Sequence, residues 1–391
     1  MAPRHPSTEE QLILLSAGTA ARRQATRERI DELGALADWS VVAELLRARR
    51  LLPLLGPRLV ELAKGNGEDD FPAIVAEAVD VGRRQGAFLE LIEARVRSAL
   101  ADAGIVSAPL KGPRLSEALY GDPGRRASSD IDLLVAPEQL RDATDVVREL
   151  GYAAPIDHVD DRGLPLLHFA LLHEDGQLPP VELHWRIHWY ERDFACDRLL
   201  PPSGELADGW RPAPIDELTS LLLFYARDGF IDLRLATDIG AWWDALGAQL
   251  QPGALGVMLR AYPALARVLV ASARVAERTV GVPARQVIAP GARLGGRGSI
   301  AARLANPLPR SSQPQLYADM GLIDGLLAPR GDFGGFIKRQ IAPPHEVIWE
   351  HAHKAQTSRV PSTLGYSLRV LGRYGLTMTR LLHSQPDRAV K

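Results

Sequence analysis

Residues 130–135, Asp-Ile-Asp-Leu-Leu-Val, constrain this chain more than any other stretch. In a strand, every second side chain shares a face. Asp130 and Asp132 therefore point one way, while Ile131, Leu133 and Val135 point the other way, into a core. At about 3.3 Å rise per residue the two acids sit roughly 7 Å apart at Cα. Two carboxylates held this close repel, and without a partner one of them tends to take up a proton. A divalent cation removes that cost, and an oxygen-rich site suits Mg²⁺. A bare D-x-D is short. On its own it reads first as two solvated acids at a strand start, or as partners of Arg125 and Arg126.

A third acid changes the balance. In "PVELHWRI", Val181, Leu183, Trp185 and Ile187 alternate with Glu182, His184, Arg186 and His188. The apolar set faces core, which leaves Glu182 on the polar face of a second strand. Three carboxylates from two strands can hold two ions at the roughly 3.5–4 Å spacing used in phosphoryl chemistry. Alone, Glu182 is an ordinary solvated strand residue. Upstream, Lys111-Gly112 follows the strand "IVSAPL" and precedes a helix opened by Pro113. A glycine there lets backbone approach a ligand, and the helix start offers free N–H groups to a phosphate. Strand–Gly–helix turns are common, so this signal is weak by itself. Ser128 and Ser129 can donate hydrogen bonds to a ligand or serve as turn and cap residues.

Around these motifs the chain is helical. Residues 7–104 carry apolar residues at helical spacing, ending at Gly104. "APEQLRDATDVVRELG" predicts a helix with Leu140, Ala143, Val147 and Leu150 as its buried stripe. "LPLLHFALLHEDGQLPPVELHWRIHW" predicts two strands joined by a turn. From about 214 the pattern is helical again, with a Pro/Gly/Arg-rich loop or linker expected over 284–313 and a last amphipathic helix at "SLRVLGRYGLTMTRLL". The expected organisation is an N-terminal helical region (1–104), a small α/β core (105–190) and a mainly helical C-terminal region (191–391).

With "LKGPRLSEALYGDPGRRASSDIDLLV" followed by "VELHW", the chain resembles the polymerase-β-like nucleotidyltransferase superfamily. Within it, it looks like a bacterial nucleotidyltransferase family marked by LKG…LY…R…DIDLLV. The motif-bearing stretch covers about residues 105–190. The resemblance implies an α+β fold, a small mixed-sheet nucleotidyltransferase core flanked by helical regions. It also implies a phosphorus-group transferase that moves NMP from an NTP to a hydroxyl acceptor, a small molecule or a peptide, releasing pyrophosphate. Mapped onto this sequence, Asp130, Asp132 and Glu182 are the catalytic and metal-binding acids, for two Mg²⁺ ions, with Glu182 a candidate base. Lys111, Gly112, Arg126 and Ser129 are the nucleotide-binding residues, Arg126 matching an arginine the family often carries before the acids. The superfamily's usual turn is Gly-Ser about a dozen residues before the acids; here it is Gly-Pro with a longer gap.

Charge and composition narrow the alternatives. Net charge is −2, so no dominant basic field for nucleic acid exists. The single cysteine, Cys196, excludes an internal disulfide and fits a reducing cytoplasm. Acids precede the first short apolar run, which argues against a signal peptide. The most apolar long segment, "YPALARVLVASARVAERTVGV", is broken by Arg267, Arg274 and Arg278 and reads as an amphipathic helix. His184 and His188 form H-x3-H, but strand geometry does not suit a helical zinc pair. His351 and His353 read as surface or packing residues, and Asp238 beside Trp242 and Trp243 as a helix-face acid. Two other functions compete: a non-catalytic nucleotide-binding or scaffold protein, and toxin–antitoxin-type nucleotidylation of a partner protein.

Overall fold

In the computed structural model, all residues are described except 1–5, 69, 154–166, 203–209, 289–291, 310–311, 330, 332, 344–347, 349–360 and 384–391. The fold is α+β, with one five-stranded mixed sheet and helices on either side in sequence. Among the described residues six helices come first: α1 (Thr8–Ser16), α2 (Ala20–Ala25), α3 (Arg27–Leu36), α4 (Trp39–Ala48), α5 (Leu52–Gly65) and α6 (Asp70–Asp102). Side chains cap three of them: Ser7 and Glu10 close a capping box at α1, Thr19 Oγ1 accepts from Arg22 N–H at α2, and the Asp38 carboxylate accepts from Ser40 and Val41 N–H at α4.

The sheet follows: β1 (Ser107–Pro109), α7 (Pro113–Tyr120), β2 (Ile131–Val135), α8 (Leu140–Glu149), β3 (Tyr152–Ala153), β4 (His168–His173) and β5 (Val181–His184). Strand order is β1-β2-β5-β4-β3. Among the described residues β2 and β5 run parallel, and the other neighbouring pairs are antiparallel. The C-terminal region adds α9 (Phe194–Leu199), α10 (Pro214–Arg227), α11 (Leu233–Leu246), α12 (Leu255–Ala261), α13 (Ala266–Val280), α14 (Ala284–Val287), α15 (Gly296–Leu304), α16 (Gln313–Leu327), α17 (Phe333–Ile341) and α18 (Thr363–His383).

Two apolar cores meet at the sheet. Ile131, Leu133, Val135, Val181 and Leu183 pack one face against Leu89, Ile92 and Val96 of α6 and Ala143 and Val147 of α8. The other core joins α1, α4 and α5 to α10, α11, α13 and α16, and takes in Leu134 from the opposite face of β2. Helix α10 runs through it, with Leu221, Leu222, Leu223, Phe224 and Tyr225 all buried.

The 284–313 segment departs from the expected loop. Its α14 and α15 bury Val287, Ala301 and Ala302, and Ile300 and Leu304 pack on the same core, so apolar spacing outweighs the Pro/Gly content. The segment tested above for membrane character becomes the buried helix α13. Among the described residues no single helix is long and apolar enough to cross a membrane. His351 and His353 lie outside the described residues.

Candidate active site

Strand register assembles the site. Asp132 on β2 sits directly across from Glu182 on β5, and His184 on β5 directly across from His168 on β4. Because alternate residues share a face, these four side chains leave the sheet on one side, opposite Leu133, Val181 and Leu183. The His184 Nε2 lies 2.9 Å from Asp132 Oδ1 and 3.3 Å from Glu182 Oε2. The His168 Nε2 lies 3.4 Å from the same Glu182 oxygen. The two imidazoles stack, with centroids 4.4 Å apart.

Lys111 completes the group. Its Nζ is 3.2 Å from Asp132 Oδ1 and 4.6 Å above the Phe224 ring of α10. Gly112 makes this turn possible. Its φ of 89° and ψ of −154° fall where only glycine is comfortable, while a Cβ there would meet open space. The Leu110 N–H donates to the Asp132 carbonyl, tying the turn to β2.

Electrostatics follow from these contacts. Burial pushes the Asp132 carboxyl up, but Lys111 and His184 outweigh it and hold it well below the usual carboxylate range. Burial also raises Glu182, and the His184 hydrogen bond brings it below its ordinary value. Burial and the neighbouring His184 ring lower His168 to about 4, so it is neutral near pH 7. The polar face is thus not solvated as its alternation implied: Asp132 and His184 are 4% and 0% exposed.

The other expected residues are placed differently. Asp130 precedes β2, half-buried, and accepts from Ser128 Oγ at 3.2 Å. Ser129 is exposed, and its Oγ accepts from Arg50 Nη1 at 3.1 Å. Arg126 is enclosed, its Nε 2.6 Å from Asp238 Oδ2 on α11, while Tyr120 donates to the other Asp238 oxygen at 2.7 Å. Asp238 is 0% exposed and so is not an open helix-face acid. Arg126 therefore ties the acid-bearing loop to α11. That loop is fixed on its other sides too. Arg125 donates to the Pro53 carbonyl of α5, and Arg234 of α11 to the Ala127 carbonyl. Gly82, Gly86 and Gly124 allow the loop to lie directly on α6, where a Cβ on Gly86 would come 2.8 Å from the Pro123 carbonyl oxygen.

Sequence reasoning missed His168 and Arg227. His168 had no motif; only strand register brings it to His184. The H-x3-H partner His188 is fully buried away from the carboxylates, its Nδ1 accepting from Tyr190 N–H. Arg227 ends α10, its Cζ 4.9 Å over the same Phe224 ring that Lys111 covers, and its charge acts on Asp132 and His168. A cavity of about 450 Å³ opens beside Lys111, lined by Arg97, Arg114, Trp210, Arg211 and Ser220 among others.

The donors present fit a divalent cation: two carboxylates in register on adjacent strands, with imidazole nitrogens within reach. No curated protein and no solved structure matches this chain. A family model described as "Uncharacterised nucleotidyltransferase" does match it, over residues 35–281, which spans α4 to α6, all five strands and α9 to α13. With that match over more than half its length, and with its acids on one face of a mixed sheet, the chain belongs to this nucleotidyltransferase family.

Proposed function

We propose that the protein is a divalent-metal-dependent nucleotidyltransferase that moves NMP from an NTP to the hydroxyl of a small-molecule or peptide acceptor. The observation that carries this reading is the in-register pairing of Asp132 with Glu182 on parallel strands, with Lys111 on Asp132. Parallel neighbours hold the two carboxylates at a fixed spacing on rigid backbone, which loops could not do as well.

In the proposed step the acceptor oxygen attacks the α-phosphorus and forms a new O–P bond. The bond from that phosphorus to the bridging oxygen of the β-phosphate breaks, and pyrophosphate leaves. The hydroxyl proton passes to Glu182, which is 22% exposed and ionised. Magnesium ions held by Asp130, Asp132 and Glu182 would supply charge stabilisation on the phosphate oxygens and on the attacking oxygen. Lys111, 3.2 Å from Asp132, would stand beside an ion held there and offer its ammonium to the departing phosphates. Arg227 adds positive charge from α10. Arg126 holds the loop that carries Asp130 and does not itself reach the phosphates. The cavity of about 450 Å³ beside Lys111, lined by none of the three acids, offers Trp210 for stacking a base or acceptor ring.

The test is transfer of label from each α-labelled NTP, with divalent metal, to a panel of hydroxyl acceptors. Asp132→Asn is expected to lose about 10²–10³-fold or more of the rate, as for removal of a group that stabilises transition-state charge. Full metal-dependent transfer by Asp132→Asn would overturn the assignment. Pyrophosphate release from no NTP, with nucleotide binding intact, would move the protein to a nucleotide-binding scaffold.

A further inference from the structure

An all-oxygen magnesium site does not account for the two imidazoles on the same face. His168 and His184 both present Nε2 to one oxygen, Glu182 Oε2, at 3.4 and 3.3 Å, and His184 Nε2 is 2.9 Å from Asp132 Oδ1. The His168, Glu182 and His184 donor atoms all lie within 4.8 Å of one another. Four ligands around a tetrahedral ion with bonds of about 2.0–2.1 Å stand roughly 3.3 Å apart. The three observed contacts, 2.9, 3.3 and 3.4 Å, are close to that spacing.

Two further features bear on the site. His184 Nε2 donates to the ionised Asp132 Oδ1, so an ion bound there would replace that proton, and the Nδ1 atoms of both rings are buried with no hydrogen-bond partner. Asp132 and Glu182 carry two negative charges, with Lys111 in contact with Asp132 and Arg227 acting on it from the end of α10. Neutral imidazole favours borderline first-row ions, whereas Mg²⁺ prefers oxygen and holds its waters.

We infer that His168, His184, Glu182 and Asp132 form a mixed nitrogen–oxygen site that takes a divalent transition ion of the Mn²⁺, Co²⁺ or Zn²⁺ class in preference to Mg²⁺. The inference deepens the transfer reading, because it shares Asp132 and Glu182 with that chemistry and gives one of the two ions a different identity. The bound ion stands beside Lys111, which offers its ammonium to phosphate. Asp130, two residues before Asp132 and outside the imidazole group, is left to an oxygen-bound ion.

The experiment uses the full chain, stripped of metal with a chelator and free of nucleotide. Mn²⁺ is added, and nitrogen hyperfine coupling is read by pulsed electron paramagnetic resonance; Co²⁺, Mn²⁺ and Mg²⁺ affinities are measured by calorimetry. The expected result is directly bound nitrogen in the Mn²⁺ spectrum and affinity for Co²⁺ at least about tenfold above that for Mg²⁺. His168→Gln, at a partly exposed position, is expected to lose about tenfold or more in Co²⁺ affinity with Mg²⁺ affinity and thermal midpoint unchanged. Bound Mn²⁺ without nitrogen coupling, no transition-ion binding, or equal Co²⁺ affinity in wild type and His168→Gln would overturn the inference. The wild-type spectrum decides even if a variant misfolds. Nitrogen coupling without nucleotidyl transfer sinks the transfer reading and leaves this site standing; Mg²⁺-driven transfer without nitrogen coupling does the reverse.

Discussion

On one face of β2, Leu133 and Val135 press against α6 and α8; on the other, Asp132 is nearly as well buried and touches Lys111 and His184. The strand is the same and the exposure is nearly the same. The apolar face is stabilised by area removed from water, on the order of 1.5–3 kcal/mol for each fully buried large side chain. The charged face gains nothing from burial itself. It persists because each charge has a partner, and removing one partner costs more than the pair contributes. A fold can place reactive groups under cover only where neighbouring elements supply counter-charges. Here they come from the turn before α7, from β5 and, more remotely, from the end of α10. The same contrast separates Arg126 from Lys111. One cation is locked to Asp238 outside the site, and the other lies over the acids.

The sharpest way to break this contrast is at Arg126. Arg126→Ala leaves the fully buried Asp238 without its cation, and a loss of about 3–5 kcal/mol is expected in denaturant unfolding. Replacing both partners, Arg126→Met with Asp238→Leu, is expected to recover most of that loss. If Arg126→Ala instead unfolds like wild type and weakens only NTP binding, the residue belongs to the nucleotide and the contrast fails.

On the apolar face, Leu133→Ala is expected to cost about 2–5 kcal/mol, read as a lower denaturant midpoint at unchanged slope. At a temperature where the variant is still folded, its metal binding should match wild type. A change in metal affinity there would mean that the two faces are coupled through the strand.

A smaller effect comes from His188. Burial, with the charge of Arg227, lowers its pKa to about 3, so the folded protein keeps it neutral while the unfolded chain protonates it near 6.5. The unfolded state then binds more protons in this window, and stability falls as pH drops below about 6.5. Between pH 6.5 and 5.5 the contribution is at most about 1.4 kcal/mol. Glu191 works the other way, since burial raises it to about 7, so a variant comparison is needed. His188→Asn keeps an acceptor for the Tyr190 N–H and should flatten the wild-type slope in urea unfolding at stepped pH. An unchanged slope would mean that His188 is not held neutral by burial.

Much of the molecule is readable from local pattern. The strand at 131–135, the helix that Pro113 opens and Gly121 ends, and the buried stripe of α8 at Ala143 and Val147 all match their periodicity and end signals. Residues 284–313 misled because Pro and Gly signal chain breaks but say nothing of the burial of Val287 and Ala301. His168 and Arg227 were invisible because neither carries a motif: strand pairing brings His168 to the site and helix packing brings Arg227.

Alternation along the chain, a property of neighbours in sequence, was enough to put Asp132 on the polar face of β2, and Glu182 and His184 on that of β5. Whether those faces were the same face depended on strand order and direction. Parallel pairing of β2 with β5 set Asp132 against Glu182, and antiparallel pairing of β4 with β5 set His168 against His184. Helix packing then turned Arg126 into Asp238, 112 residues away, and left Lys111 over the acids. These are contacts between distant parts of the chain, chosen by which arrangement buries the most apolar surface while leaving no charge alone, and no local pattern encodes that choice.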